Sequence, residues 1–100
     1  MRTYDRGDTL LITDIPTLTS DTSRLFKEYA HGSLRAEHQF VEVDLSCART
    51  VDSEGMGALI SVHKAICGRG GRVRLLHPAP LIAGMLTVLQ LDQLFEIIPR

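Results

Sequence analysis

A short apolar run that leads directly into an acid-flanked serine and two glycines constrains the fold of this chain more than any other feature. Residues 40–45 read Phe-Val-Glu-Val-Asp-Leu, in which two acids interrupt apolar side chains, as in a strand inside a sheet. Residues 52–57 read Asp-Ser-Glu-Gly-Met-Gly, and from Met56 apolar residues recur every three or four positions, as on one face of a helix. The junction predicts a strand, a loop and a helix that begins beside Ser53.

The start of that helix has a particular chemistry. The first four backbone N–H groups of a helix have no partners within it, and the aligned peptide dipoles place partial positive charge there, so a phosphate is well accommodated. Gly55 and Gly57 fall in this first turn, although each glycine weakens a helix by about 0.5–1 kcal/mol relative to alanine. We interpret them as functional, since they would let a ligand, a phosphoryl group or a partner's backbone approach the main chain.

The remaining sequence alternates predicted strands and helices. The strands are predicted at 2–4, 9–13, 73–76 and 95–98, and two further helices around 25–30 and 81–89. Because strands and helices alternate after a first hairpin, the connections are crossover units that favour parallel strands. We therefore predict one α/β domain over 1–100, with a mixed, mostly parallel sheet of four or five strands and helices mainly on one face.

Composition and charge exclude several classes of protein. The chain has 100 residues, of which 44% are hydrophobic and 23% are charged, as in a globular domain rather than a disordered segment. Its formal net charge of -1 gives no electrostatic basis for binding nucleic acid. The N-terminus lacks the apolar run of a secretion signal, and no segment is long enough to insert into a membrane. We therefore expect a cytoplasmic protein; the sequence carries no signal for an oligomeric state.

Several chemically reactive residues have plain structural interpretations. Cys47 and Cys67 lack a metal-ligand spacing and are interpreted as reduced, small apolar residues, so no metal or other cofactor is predicted. His63 falls on the apolar stripe of its helix, and no histidine has a spacing that points to Ser53, so no catalytic residue is predicted. The glycine-rich segment 68–72 is interpreted as a helix terminator rather than a phosphate loop.

The order of these elements and the motifs within it resemble the STAS domain, the fold of bacterial anti-sigma factor antagonists. The matching motifs are Val43-Asp44-Leu45-Ser46, Asp52-Ser53-Glu54-Gly55-Met56-Gly57, Gly70-Gly71, Leu75-Leu76-His77-Pro78 and Leu91-Asp92-Gln93-Leu94-Phe95-Glu96-Ile97. The resemblance covers nearly the whole chain and depends on five motifs in order, whereas any one of them alone would be weak.

The resemblance implies a regulatory protein-binding module and not an enzyme. In phosphorylatable members of the family, the serine that corresponds to Ser53 is modified by a partner anti-sigma factor that is itself a serine kinase, and modification blocks their association. We expect the partner to bind at Asp52, Ser53, Glu54, Gly55, Met56, Gly57, Leu59 and Ile60. The alternative is a non-phosphorylated STAS subunit that binds the ATPase of an ABC lipid transporter or a stress-sensing scaffold.

Some local alternatives stay open at this point. Either Ser53 caps the helix itself, or it follows a cap formed by Asp52. Phosphorylated members often have a small or neutral residue after the serine, where this chain has Glu54, and the family's Gly-x-Leu-Asp is here the stretch 16–19, Pro-Thr-Leu-Thr. The apolar residues from Leu81 to Leu89 are expected mainly in the core, with part of them as an exposed flank.

Overall fold

Five strands form a single sheet in the order β1-β2-β3-β4-β5 in this computed structural model, which describes all 100 residues. The strands are β1 (Arg2–Arg6), β2 (Thr9–Thr13), β3 (Phe40–Asp44), β4 (Arg72–Leu76) and β5 (Glu96–Ile98). Only β1 and β2 are antiparallel, and the other neighbours pair in parallel. The predicted mixed and mostly parallel sheet is confirmed, with five strands.

The register places apolar side chains together on one face of the sheet. Leu10 pairs with Val41, which pairs with Val73, and all three are buried. Since successive side chains of a strand point to opposite faces, this alternation defines the inner face of the domain. The core cluster of 22 buried residues includes this face and the helices that cover it.

Three helices connect the parallel strands, one between each consecutive pair, as predicted. They are α1 (Ser23–Ser33), α2 (Ser53–Cys67) and α3 (Pro80–Val88), and a short 3₁₀ turn follows at Leu91–Gln93. Each helix contributes side chains to the one core, for example Phe26 from α1, Leu59 from α2 and Leu86 from α3. The helices therefore pack on the inner face, and α2 begins at Ser53, after a loop of eight residues that follows β3.

The opposite face of the sheet carries a polar row. The Arg74 guanidinium lies 3.4 Å from a carboxylate oxygen of Glu42 and 3.7 Å from one of Glu96, on the two neighbouring strands. The same guanidinium stacks 4.0 Å from the centre of the Phe40 ring. This row explains the acid inside the predicted strand 40–45: Glu42 points away from the core.

Cys47 and Cys67 are free thiols, and both are exposed. Two sequence predictions need correction at the level of packing. On α2, Val62 is buried in the core while His63 is only half-buried, its ring edge-on to Phe95. The outer side of α3 is more exposed than a core stripe would be, because the helix covers the sheet with one side only.

No helix has the length and apolar character needed to cross a membrane.

Candidate functional site

The loop before α2 is fixed by a short parallel pairing with the segment that precedes α1. Leu18 bridges Val51, its N–H donates to the Thr50 carbonyl oxygen at 2.9 Å, and its own carbonyl oxygen accepts from the Asp52 N–H at 3.2 Å. Leu18 and Val51 are both buried, so the pairing is anchored in the core. It places residues 18–20 beside the first turn of α2.

Asp52 is the N-cap of α2. One carboxylate oxygen accepts the Gly55 N–H at 2.9 Å, and the other accepts the Ser20 N–H at 3.0 Å. These two hydrogen bonds, that from Gly55 foremost, hold the pKa of the Asp52 carboxyl below its ordinary value. Asp52 is therefore an ionised carboxylate, and each of its oxygens accepts a hydrogen bond. Of the two alternatives for the helix cap, Asp52 and not Ser53 is the N-cap.

Ser53 is the first residue of the 15-residue helix and is exposed. Its hydroxyl makes no hydrogen bond within the chain, and Glu54 beside it is exposed and forms no ion pair. The hydroxyl thus lies unbonded at the positive end of a helix, between the hydrogen-bonded carboxylate of Asp52 and the unpaired carboxylate of Glu54. An incoming group can reach it without displacing any part of the protein.

Gly55 has a different role from the one that the sequence suggested. It is buried, and a Cβ built on it would lie 2.7 Å from the Leu18 carbonyl carbon and closer still to the carbonyl oxygen. The close approach that this glycine permits is therefore made by the chain's own backbone, and neither a ligand nor a partner occupies that space. Gly57, by contrast, is exposed, and a Cβ there would meet nothing within 4 Å.

Two further residues of the predicted partner surface belong to the core. Met56 is 3% exposed and Leu59 is fully buried, because the inner side of α2 packs on the sheet. Their side chains are not available to a partner, so we remove both, with Gly55, from the candidate contact residues. The residues that stay accessible, called here the α2 N-terminal surface, are Asp52, Ser53, Glu54, Gly57 and Ile60.

Sequence reasoning missed the contribution of the segment before α1. Ser20 supplies a backbone N–H to Asp52, and Leu18 supplies the backbone that packs on Gly55. The one available signal was the position of Leu18, which matches the leucine of the family's Gly-x-Leu-Asp motif. Its pairing with Val51 could not be read from spacing, since the two residues are 33 positions apart in the chain.

The histidines lie in other environments. His38 is buried, with Nε2 3.0 Å from Asp5 Oδ1 and Nδ1 accepting the Arg35 N–H at 2.9 Å, while His31 Nε2 lies 3.1 Å from Ser61 Oγ. None of the recorded hydrogen bonds joins a histidine to Ser53. No three His, Cys, Asp or Glu side chains are grouped so that they could hold a metal ion.

The chain belongs to the STAS family. The model of the family described as Mlab, STAS domain matches residues 16–99, which include the Leu18 segment, all three helices and the strands β3, β4 and β5. No curated protein matches the chain by sequence. The family assignment therefore rests on the match to the family model and agrees with the resemblance of its motifs.

Solved structures show the same fold. A candidate anti-sigma factor antagonist from Thermotoga maritima superposes with a TM-score of 0.88 at 20% identity, covering 99% of this chain and 86% of that one. The phosphorylated form of SpoIIAA, a Bacillus cell-fate determinant, gives a TM-score of 0.76 at 14% identity over 99% of this chain and 91% of that one. A sulfate transporter family protein from Wolinella succinogenes gives 0.71 at 15% identity, covering 91% and 75%. At these identities the likeness establishes the fold alone.

Proposed function

We propose that this chain is a non-enzymatic, cytoplasmic anti-sigma factor antagonist, which binds a serine-kinase anti-sigma factor and is released when Ser53 is phosphorylated. The observation that supports this most is the free, exposed hydroxyl of Ser53 at the first position of α2. A kinase active site needs an acceptor hydroxyl that it can surround, and the α2 N-terminal surface offers one on a rigid element.

The environment of Ser53 suggests how the chemistry is divided between the two proteins. Asp52 is a poor base, since its pKa is lowered and each of its oxygens already accepts an N–H. We therefore expect the kinase to supply the group that accepts the Ser53 proton, as well as the nucleotide and its metal ion. The antagonist contributes the hydroxyl, its fixed position and the surrounding contact surface.

Glu54 sets the electrostatic cost of the modified state. A phosphoserine carries about -1.5 to -2 charges at neutral pH, and a unit charge at about 4 Å repels it by ~1 kcal/mol or more. The helix N-terminus returns only ~0.3–1 kcal/mol at an exposed site. Because Glu54 has no cationic partner within the chain, we expect Ser53 to be phosphorylated slowly, and Glu54→Ser to accelerate it.

The test combines the protein with a cognate ATPase-domain serine kinase and ATP, and measures intact mass and binding. Wild type should gain one phosphate, Ser53→Ala none, and Ser53→Asp should bind the kinase weakly. Ser20→Ala is the matched control, since Ser20 is exposed next to the site but uses only its backbone N–H. Phosphate on Ser53→Ala, or full binding by Ser53→Asp, would rule out the switch.

A second candidate function is that of a structural subunit bound to the ATPase of an ABC lipid transporter or to a stress-sensing scaffold. It is favoured by the family model, whose name is that of the Mlab type of STAS domain. Such a subunit would use the α2 N-terminal surface for contact and would need no chemistry at Ser53. Stable co-purification with a transporter ATPase, with no phosphate transferred to wild type, would select this function over the first.

A further inference from the structure

The outward side of α3 is an uncovered apolar face. Leu81 is 75% exposed, Val88 is 81% exposed and Leu89 is 54% exposed, although each is a large apolar side chain. Together with Pro80, Gly84 and Met85 they line a shallow groove of about 460 Å³. Contiguous apolar surface of this kind on a soluble domain marks a place where another molecule binds. We call these six residues the α3 face.

The lack of charge on α3 limits which kinds of molecule could bind the α3 face. Residues 78–91 contain no charged side chain, so α3 itself is neutral, and the charged residue that lies nearest to it along the chain is Asp92 in the 3₁₀ turn. A helix that lies on a membrane surface carries lysine or arginine on its polar side, which α3 does not. A partner that depends on opposite charge would find nothing to pair with. Two copies of this chain, in contrast, could pack α3 against α3 with no charged side chain on either helix.

Gly84 supports a close approach by another helix. It lies near the middle of α3, where a glycine destabilises the helix relative to alanine, and a Cβ built on it would meet nothing within 4 Å. Unlike Gly55, it is therefore not required by packing within the chain. In a two-fold arrangement of two α3 helices, a residue at the centre of the face meets its own copy, and a glycine there lets the two backbones come close.

We propose that the α3 face is the interface of a symmetric homodimer, in which α3 packs against α3 of a second copy across Gly84. None of the residues of the α2 N-terminal surface belongs to the α3 face, so the two surfaces serve different contacts. A standard interface uses about 20–30 residues on each side, and the α3 face has six. The dimer should therefore form measurably only at higher protein concentrations.

Analytical ultracentrifugation from about 1 μM to about 1 mM tests the proposal. The weight-average mass of wild type should rise from 11.1 kDa for one chain toward twice that value. Val88→Glu should stay monomeric with an unchanged thermal midpoint, because Val88 makes little contact within the chain. Leu25→Glu is the control: it alters a 47%-exposed leucine on α1 and should dimerise like wild type. A wild type that is monomeric throughout, or equal loss in both variants, would overturn the proposal.

Disulfide trapping gives a second, independent readout. In a background with Cys47→Ser and Cys67→Ser, oxidised Gly84→Cys should form a covalent dimer much faster than Gly57→Cys, which alters an exposed glycine on α2. Equal cross-linking at the two positions would overturn the interface. Binding of wild type to neutral phosphatidylcholine vesicles, lost in Val88→Glu, would assign the α3 face to lipid and would also overturn it.

Discussion

Replacing Gly55 by alanine should destabilise the domain, whereas the same change at Gly57, two residues along the same helix, should stabilise it. An alanine Cβ at Gly55 would lie 2.7 Å from the Leu18 carbonyl carbon and 3.1 Å from Leu18 Cγ. The carbonyl is backbone and is held by the Asp52 N–H at 3.2 Å, so it cannot yield as a flexible side chain would. The Leu18 segment must move away from α2.

The magnitude follows from three contributions. Overpacking of this kind costs about 1–3 kcal/mol, and loss of the hydrogen bond between Asp52 and Leu18 adds ~1 kcal/mol. Alanine's better helix propensity returns about 0.5–1 kcal/mol. The free energy of unfolding of Gly55→Ala should therefore fall by about 1–3 kcal/mol, while that of Gly57→Ala should rise by about 0.5–1 kcal/mol because nothing obstructs its Cβ.

Urea and thermal unfolding, followed by circular dichroism, measure this contrast. In a domain of this size 1 kcal/mol shifts the thermal midpoint by roughly 4–8 °C. The two variants should therefore separate by roughly 6 °C or more, on opposite sides of wild type. If Gly55→Ala were as stable as wild type, the role we assign to the Leu18 contact would be wrong, and the space at Gly55 would again be open to a ligand or partner.

Two other predictions concern α2 and the acid side of the pH profile. Leu59→Ala should reduce stability by about 2–5 kcal/mol by leaving a core cavity, whereas the half-exposed Ile60 should cost less when changed to alanine and should weaken partner binding instead. Unfolding titrations and binding assays on both variants check this, and a binding defect confined to a stable Leu59→Ala would contradict it. The carboxyl pKa values of Asp5, bonded to His38, and of Asp52 are both lowered, so their stabilisation is present above their ordinary pKa near ~4 and is lost as the pH falls through the lowered values. The thermal midpoint should thus fall in acid, and the difference in midpoint between wild type and Asp52→Asn should shrink there; a difference that is constant with pH would contradict the lowered pKa of Asp52.

Most of the architecture could be predicted from the sequence because it depends on local patterns. The alternation in 40–45, the helical spacing after Met56 and the proline at position 80 each determine an element from its own residues. Their order then favours a parallel sheet with helices on one side. The position of Ser53 at the start of a helix could be predicted in the same way, from the residues next to it.

The parts that were missed depend on which residues meet in space. The spacing on α2 identified an apolar stripe but not its centre, so Met56 and Leu59 could not be separated from Ile60 at its edge. The reason for Gly55 lay in Leu18, 37 positions earlier, and no local pattern reports such a contact. The sequence allowed for an exposed flank on α3 but not its extent, because an apolar helix has the same pattern whether its second side is covered or exposed.

The central claim concerns charge placed on one hydroxyl, and calorimetric titration of the kinase with chemically defined protein tests it most directly. The protein is made with phosphoserine incorporated at position 53 and compared with the unmodified chain under identical conditions. The account predicts that the phosphate lowers the affinity by about a hundredfold, equivalent to ~3 kcal/mol. Equal affinities for the two forms would show that Ser53 does not control association and would contradict the account.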